Sequence, residues 1–215
     1  MPLQKMLLLK HAPTVTINPE FIDLGIQAYE DTYGRMRSLV QAKSLNDQIW
    51  LLEHSPVFTL GTAADPSHVL NPGSIPVIQT DRGGEVTFHG PGQLVMYFLL
   101  NIQLKNMGPK TLVSNLQSLI QNILQKYGIE SSFIEGAPGV YVEEKKIASI
   151  GLRISKGKSY HGISINVDMD LKPFSLINPC GYEGLEVTQI SDFDSNVTLE
   201  DVKSVAIKEI QTAFS

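Results

Sequence analysis

The sequence predicts an α+β fold, a mixed or antiparallel sheet with flanking helices. Three observations lead there. Short apolar segments rich in β-formers follow one another in consecutive runs, where a repeated βαβ array would alternate them with helices. Three segments repeat apolar residues at helical spacing. Hydrophobic residues make up 42% and charged residues 18% of 215 residues, enough for one well-filled core, so residues 1–215 read as a single domain.

In chain order, Leu3 to Leu9 reads as a short strand. Pro19 opens a helical pattern in which Ile22, Ile26, Tyr29, Tyr33 and Met36 recur at alternating spacings of four and three. Asp47 to Glu53 and Val57 to Leu60 read as strands, and the turn residues of Thr62 to Ser74 mark a loop. Gln93 to Ile102 is apolar throughout its centre, as a strand covered on both faces requires. Gly108-Pro109 starts a helix with the stripe Leu112, Leu116, Leu119, Ile123 and Tyr127, and Gly128 stops it. Gly136 to Val142, Lys146 to Ile154 and Ser159 to Val167 follow as strands joined by turns at Glu143-Glu144 and Gly157-Lys158. Thr198 caps a last helix with Leu199, Val202, Ala206 and Ile210 inward.

Bulk properties exclude several classes. A net charge of −5 speaks against a general nucleic-acid binder. No apolar run reaches the ~20 residues of a membrane helix, and Met6 to Leu9 is too short for a signal-peptide core. One cysteine permits no internal disulfide and suits a reducing compartment. The five histidines are scattered, and none stands at zinc-ligand spacing from that cysteine, so no metal site is expected.

The stretch Arg82-Gly83-Gly84-Glu85-Val86-Thr87-Phe88-His89-Gly90-Pro91-Gly92-Gln93 has the composition of a binding loop. Its glycines let backbone approach a ligand, Arg82 brings a fixed cation, and His89 brings a titratable ring. Cys180 sits in Pro179-Cys180-Gly181, a tight turn that leaves a thiol accessible. A thiol near its ordinary pKa needs a neighbouring base or cation, and Lys145 and Lys146 compete for that role. Strict strand alternation puts Lys146 with Ala148, Ile150, Leu152 and Ile154, and Lys145 with Ser149 and Arg153. Desolvation on the apolar face would make Lys146 the more useful base. Likewise Gly162, Ser164 and Asn166 share a small, polar face, with His161, Ile163, Ile165 and Val167 opposite. Arg153, Lys156 and Lys158 form the densest basic stretch, a candidate dock for an acidic partner or a plain solvated turn.

The loop resembles the R-G-G-x-x-T-x-H-G-P-G-Q signature of the lipoyl(octanoyl) transferases. The resemblance continues in Glu53 to Gly61 (E-H-x-P-V-x-T-x-G), Lys146 to Gly151 (K-(I/V)-A-x-(I/L)-G) and Pro179-Cys180-Gly181. It implies the fold of biotin and lipoate protein ligases, with Cys180 as acyl-thioester nucleophile and Lys146 as its acid–base partner. It also implies a substrate site formed by Arg82, Gly83, Gly84, Glu85, Val86, Thr87, Phe88, His89, Ser149, Ile150, Gly151, Gly162, Ile163 and Ser164, with Tyr29 beside the acyl pocket and His89 positioning substrate. A core role for Tyr29 stays open, as does one for His161. The implied donor is octanoyl-acyl-carrier protein. The implied acceptors are lipoyl domains of 2-oxoacid dehydrogenase complexes and the glycine cleavage H protein. No cofactor, nucleic acid or membrane is implied, and the setting is cytoplasmic. The rival readings are an ATP-dependent ligase on the same fold and a non-catalytic lipoyl-domain binding module.

Overall fold

The computed structural model describes residues 19–134, 137–179 and 184–214. The strand expected at Leu3 to Leu9 and the cysteine turn at Cys180-Gly181 lie outside the described residues. Ten strands and three α-helices are found among the described residues, in two sheets.

The larger sheet has seven strands. Across it they run β1 (Glu20–Gln27), β2 (Gln48–His54), β6 (Gln93–Leu99), β10 (Lys158–Asn166), β9 (Lys145–Ser155), β8 (Ala137–Val142) and β7 (Ser132–Ile134). Only β1 and β2 pair in parallel there. The smaller sheet is β4 (Val77–Gln79), β3 (Val57–Leu60) and β5 (Val86–His89), with β3 and β4 parallel. The mixed, mainly antiparallel α+β architecture is the one expected.

The core follows from the two faces of the large sheet. Helices α2 (Pro109–Gln125) and α3 (Leu199–Ala213) cover one face, where Leu116, Ile120, Val202 and Ile210 meet Leu51, Met96, Phe98 and Ile165. Thr198 accepts from Asp201 N–H while the Asp201 carboxylate reaches back to Thr198 N–H, a reciprocal cap as the sequence predicts. On the other face, Met36 and Val40 of α1 (Tyr29–Gln41) pack on Trp50, Leu52, Val95 and Tyr97. Every residue of β6 is therefore buried.

One expected element is different. The stripe from Ile22 to Met36 predicts a helix opening at Pro19, but residues 20–27 form strand β1 and the helix begins only at Tyr29. Phe21 packs toward α2 and α3 while Ile22 and Leu24 pack with α1. The period is thus not 3.6 but that of a strand with an interruption. The Asp23 carboxylate accepts from Gly25 N–H at 3.0 Å, Gly25 takes φ +61°, and the ladder to β2 slips one residue there. That local turn opposes a helix, while the parallel ladder to β2 satisfies the backbone on either side.

The basic turn also changes meaning. Lys158 is 5% exposed, and its ammonium donates to the carbonyls of Val40 and Ala42 at the C-terminal end of α1. It closes a helix end, so it is not available to a docking partner.

Candidate active site

A cavity of about 390 Å³ opens where the signature loop crosses the large sheet. Its floor is set by ladder register. Tyr97, Gly162 and Gly151 stand in one row across β6, β10 and β9, and Val95, Ser164 and Ser149 in the next. The paired glycines leave the middle of the floor low. At Gly151 a Cβ would meet Gly83 O at 3.1 Å and Arg82 Cδ at 3.2 Å, so the missing side chain lets the loop lie on the strand. Gly83 N–H completes that crossing by donating to Leu152 O at 2.9 Å.

The roof is the signature loop, shaped by its own arginine. Arg82 is 8% exposed, and its guanidinium donates to Thr59 Oγ1 and to the carbonyls of Thr59, Gly83 and Glu85 at 2.7 to 3.2 Å. Of the expected site residues, Tyr29, Arg82, Gly84 to Thr87, His89, Lys146, Ser149 to Gly151 and Gly162 to Ser164 all line the cavity. Gly83 and Phe88 are not lining residues. Gly83 is held against β9, and Phe88 points into the small-sheet core beside Phe58 and Phe174.

Lys146 reaches the cavity by a route that alternation alone misassigns. Val140 pairs with Ala148, and Tyr141 with Lys146, so Ile147 is an extra residue in β9. Val140 and Ala148 belong to the helix-covered core. The bulge reverses the parity beyond it and turns Lys146 to the opposite face, with Tyr141, Ser149 and Gly151. Its Nζ lies 5.7 Å from the Tyr141 ring, and the residue is 4% exposed. Space for the stem comes from Gly139 at φ +152°, where a Cβ would fall 2.6 Å from Lys146 Cε and 2.6 Å from Ala148 O. Lys145, on the outer side, pairs with Glu186 at 2.9 Å in open solvent.

The described neighbours of the cysteine turn are anchored at both ends. Before it, Asn178 N–H donates to His68 O at 2.8 Å, and Leu70 and Asn71 N–H donate to Leu176 O. After it, Lys146 N–H donates to Glu186 O at 2.9 Å and Thr188 N–H donates to Lys146 O at 3.0 Å.

Sequence reasoning missed Ala63, Val95, Tyr97 and the direction of His161. Val95 and Tyr97 are hidden in an apolar run whose two faces read alike. His161 has φ +58°, which turns its ring out of strand alternation and onto the cavity, where Nε2 meets Asp81 at 3.0 Å. With Tyr29, His54, His89 and Tyr97 it forms a nearly dry group of rings. Burial drives the His89 ring down to about 3 and His54 to about 4, and lowers His161 despite Asp81. Burial also raises the Tyr29 hydroxyl to about 12. Asp81 is pulled below its usual range although burial opposes this, because His161, Tyr160 and Tyr33 donate to it.

These rings should make the fold acid-labile from about pH 6.5 downward. Their folded pKa values lie below the ordinary 6.5, so the unfolded chain binds more protons as pH falls. Stability is complete above pH 6.5 and lost on the way down, by up to ~1.4 kcal/mol per pH unit for each ring. The stabilisation from Asp81 is complete above its unfolded value of 3.8 and is lost only as pH falls below it. The urea midpoint should fall between about pH 7 and pH 5; a constant midpoint would mean the rings are not held neutral.

Among the described residues, no group of three or more His, Cys, Asp or Glu side chains converges as metal ligands would. No helix among them is long and apolar enough to cross a membrane.

A sheet carrying a glycine floor, a buried lysine and an overlying signature loop makes this cavity a candidate acyl-transfer site. Residues 28–211 match the family described as "Lipoyl protein ligase A/B catalytic domain", and the chain belongs to that family. Within it, the chain is 50% identical over 194 residues to an octanoyltransferase of Legionella pneumophila (strain Lens), covering 89% of this chain and 98% of that one. It is 52% identical over 189 residues to an octanoyltransferase of Vibrio atlanticus, covering 87% and 86%. The fold resembles lipoate-protein ligase A bound with ATP, with TM-score 0.75, 13% identity, and coverage of 91% of this chain and 85% of that one. It also resembles biotin protein ligase from Aquifex aeolicus, with TM-score 0.54, 19% identity, and coverage of 90% and 68%. The expected biotin and lipoate ligase fold is thereby met.

Proposed function

We propose that the chain, acting as one catalytic domain in the cytoplasm, transfers an octanoyl group from octanoyl-acyl-carrier protein to a lysine of a lipoyl domain. The acceptors are lipoyl domains of 2-oxoacid dehydrogenase complexes and the glycine cleavage H protein. Cys180 carries the acyl group between the two. The observation that bears most weight is Lys146, buried on the cavity floor and joined through its backbone to the segment that follows Cys180. The likeness to octanoyltransferases over most of both chains supports the same reading.

In the first step the Cys180 thiol gives its proton to Lys146 and the thiolate attacks the donor thioester. A new C–S bond forms on Cys180, the carrier's C–S bond breaks, and the carrier thiolate takes the proton. In the second step the acceptor amine attacks the acyl-cysteine carbonyl. A C–N bond forms, the C–S bond to Cys180 breaks, and the amine proton passes through Lys146 to the departing thiolate. Exchange of one thioester for another is nearly balanced, and the final amide makes the sum favourable without ATP. The apolar cavity takes the acyl chain, and the buried rings keep water from the thioester.

Intact mass after mixing with octanoyl-acyl-carrier protein alone should show one octanoyl group on the protein, removed on adding a lipoyl domain. Labelling that requires ATP and free octanoate would establish the ligase reading in its place. Gly139→Ala should cut transfer on the order of 100-fold by displacing Lys146, with ~1–3 kcal/mol lost from overpacking. Full transfer by that variant would mean the Lys146 stem does not need the space.

A further inference from the structure

His89 sits at one end of a hydrogen-bond chain whose direction is fixed at its other end. Thr188 O is a carbonyl and only accepts, so the Asn166 atom 2.9 Å from it is Nδ2. Asn166 Oδ1 then faces Gln93, whose Nε2 donates at 2.9 Å and also lies 3.3 Å from a second carbonyl, Phe88 O. Reversing either amide would set oxygen against oxygen. The Gln93 oxygen is left 2.7 Å from His89 Nδ1, so the ring must donate there. A neutral imidazole has one N–H, hence Nε2 carries the lone pair.

Gln93 and Asn166 are 1% and 4% exposed, so no solvent competes for these bonds. Neither lines the cavity, whereas His89 does. The Tyr29 ring lies parallel to His89 at 6.1 Å and the His54 ring tilts against it at 5.7 Å, which sets the imidazole plane. The charged and titratable groups around His89 are Tyr29, His54, Arg82 and His161, with Lys146 on the same cavity. Thr188, which orients Asn166 through its carbonyl, also donates its N–H to Lys146 O at 3.0 Å. One backbone residue therefore registers both His89 and Lys146.

We propose that Gln93 and Asn166 form a positioning relay that locks His89 with Nδ1 protonated, so that its Nε2 lone pair receives an N–H of the incoming lysine amine while Lys146 takes the proton. This deepens the transfer reading above and rests on it. An attacking amine must aim its lone pair at the carbonyl carbon, and a fixed acceptor for one N–H supplies that aim. Burial keeps the ring uncharged, so it repels neither the amine nor Lys146.

Long-range proton–nitrogen spectra of protein labelled in histidine test the tautomer without reference to activity. His89 should show a protonated Nδ1 and bare Nε2, unchanged down to about pH 5. A protonated Nε2 in the wild type would overturn the relay. Gln93→Met should mix the tautomers and slow transfer from preformed acyl-enzyme by roughly 10- to 100-fold, a larger loss than in acyl-enzyme formation. Gln93→Glu still accepts from Nδ1 but sets its second oxygen against Phe88 O and Asn166 Oδ1, so it should keep the Nδ1 tautomer and recover only part of the transfer, with the acid limb of the rate profile moved upward by the carboxylate beside the ring. Equal losses in both half-reactions, with no such limb shift, would reduce Gln93 to a packing residue and overturn the proposal. Failure of the wild type to form any acyl-enzyme would defeat the Cys180 reading, while the spectra would still decide the tautomer.

Discussion

Cys180→Ala should carry no octanoyl group after incubation with the donor and should lose at least ~10⁴-fold in transfer. Cys180 is the sole thiol in the chain, so no other sulfur can form the thioester. Removing a nucleophile that opens a two-step path leaves only direct attack of the acceptor amine on the donor, without its covalent relay. Cys180→Ser should be nearly as poor, since a hydroxyl is far harder to ionise than a thiol. The urea midpoint of each variant, compared with wild type, separates lost chemistry from lost fold. Appreciable transfer by a folded Cys180→Ala protein would end the covalent mechanism.

Lys146 carries the second large effect. Lys146→Ala should lower transfer by ~10²- to 10⁴-fold, the range expected when a positioned acid–base group is removed. Lys146→Met, which keeps most of the buried stem, should lose as much activity with less change in stability. Lys145→Ala is the contrast. Its ammonium pairs with Glu186 at the surface, and such a pair contributes at most about 1 kcal/mol, so transfer should change little. If Lys146 receives the thiol proton, the curve for iodoacetamide labelling of Cys180 against pH should move to higher pH in Lys146→Ala. An unmoved curve would show that the thiol is tuned by some other group.

Most of the strands and two of the helices were legible because burial wrote plain patterns into them. Gln93 to Leu99 is buried on both sides and reads as an unbroken apolar run. Leu112 to Ile123 and Val202 to Ile210 each bury one helical stripe. Two local irregularities carried the rest beyond reach. An Asx turn at Asp23 and Gly25 made a strand imitate a helical period, and a single extra residue at Ile147 reversed the face on which Lys146 lies. Alternation favours Lys146 over Lys145 through the wrong face: Lys146 occupies the cavity because the strand is bulged, not because it shares a side with Ile150. Tyr97 gave no signal, since a tyrosine within an apolar run looks like core until the glycines opposite it are placed. Alternation sets His161 on the wrong side of β10, because a positive φ in a non-glycine residue has no sequence marker there.

The two hydrogen bonds that tie Lys146 to Glu186 and Thr188 have a mechanical consequence. The backbone of the proposed base and the strand-like piece following Cys180 are laced edge to edge, as rungs of one short ladder. Any tilt of β9 would therefore be carried to residues 186–188. Upstream, Asn178 N–H is bonded to His68 O, in the segment between β3 and β4 of the small sheet. Shear between the two sheets would thus change the distance between Asn178 and Glu186, while Lys146 stayed in step with residues 186–188.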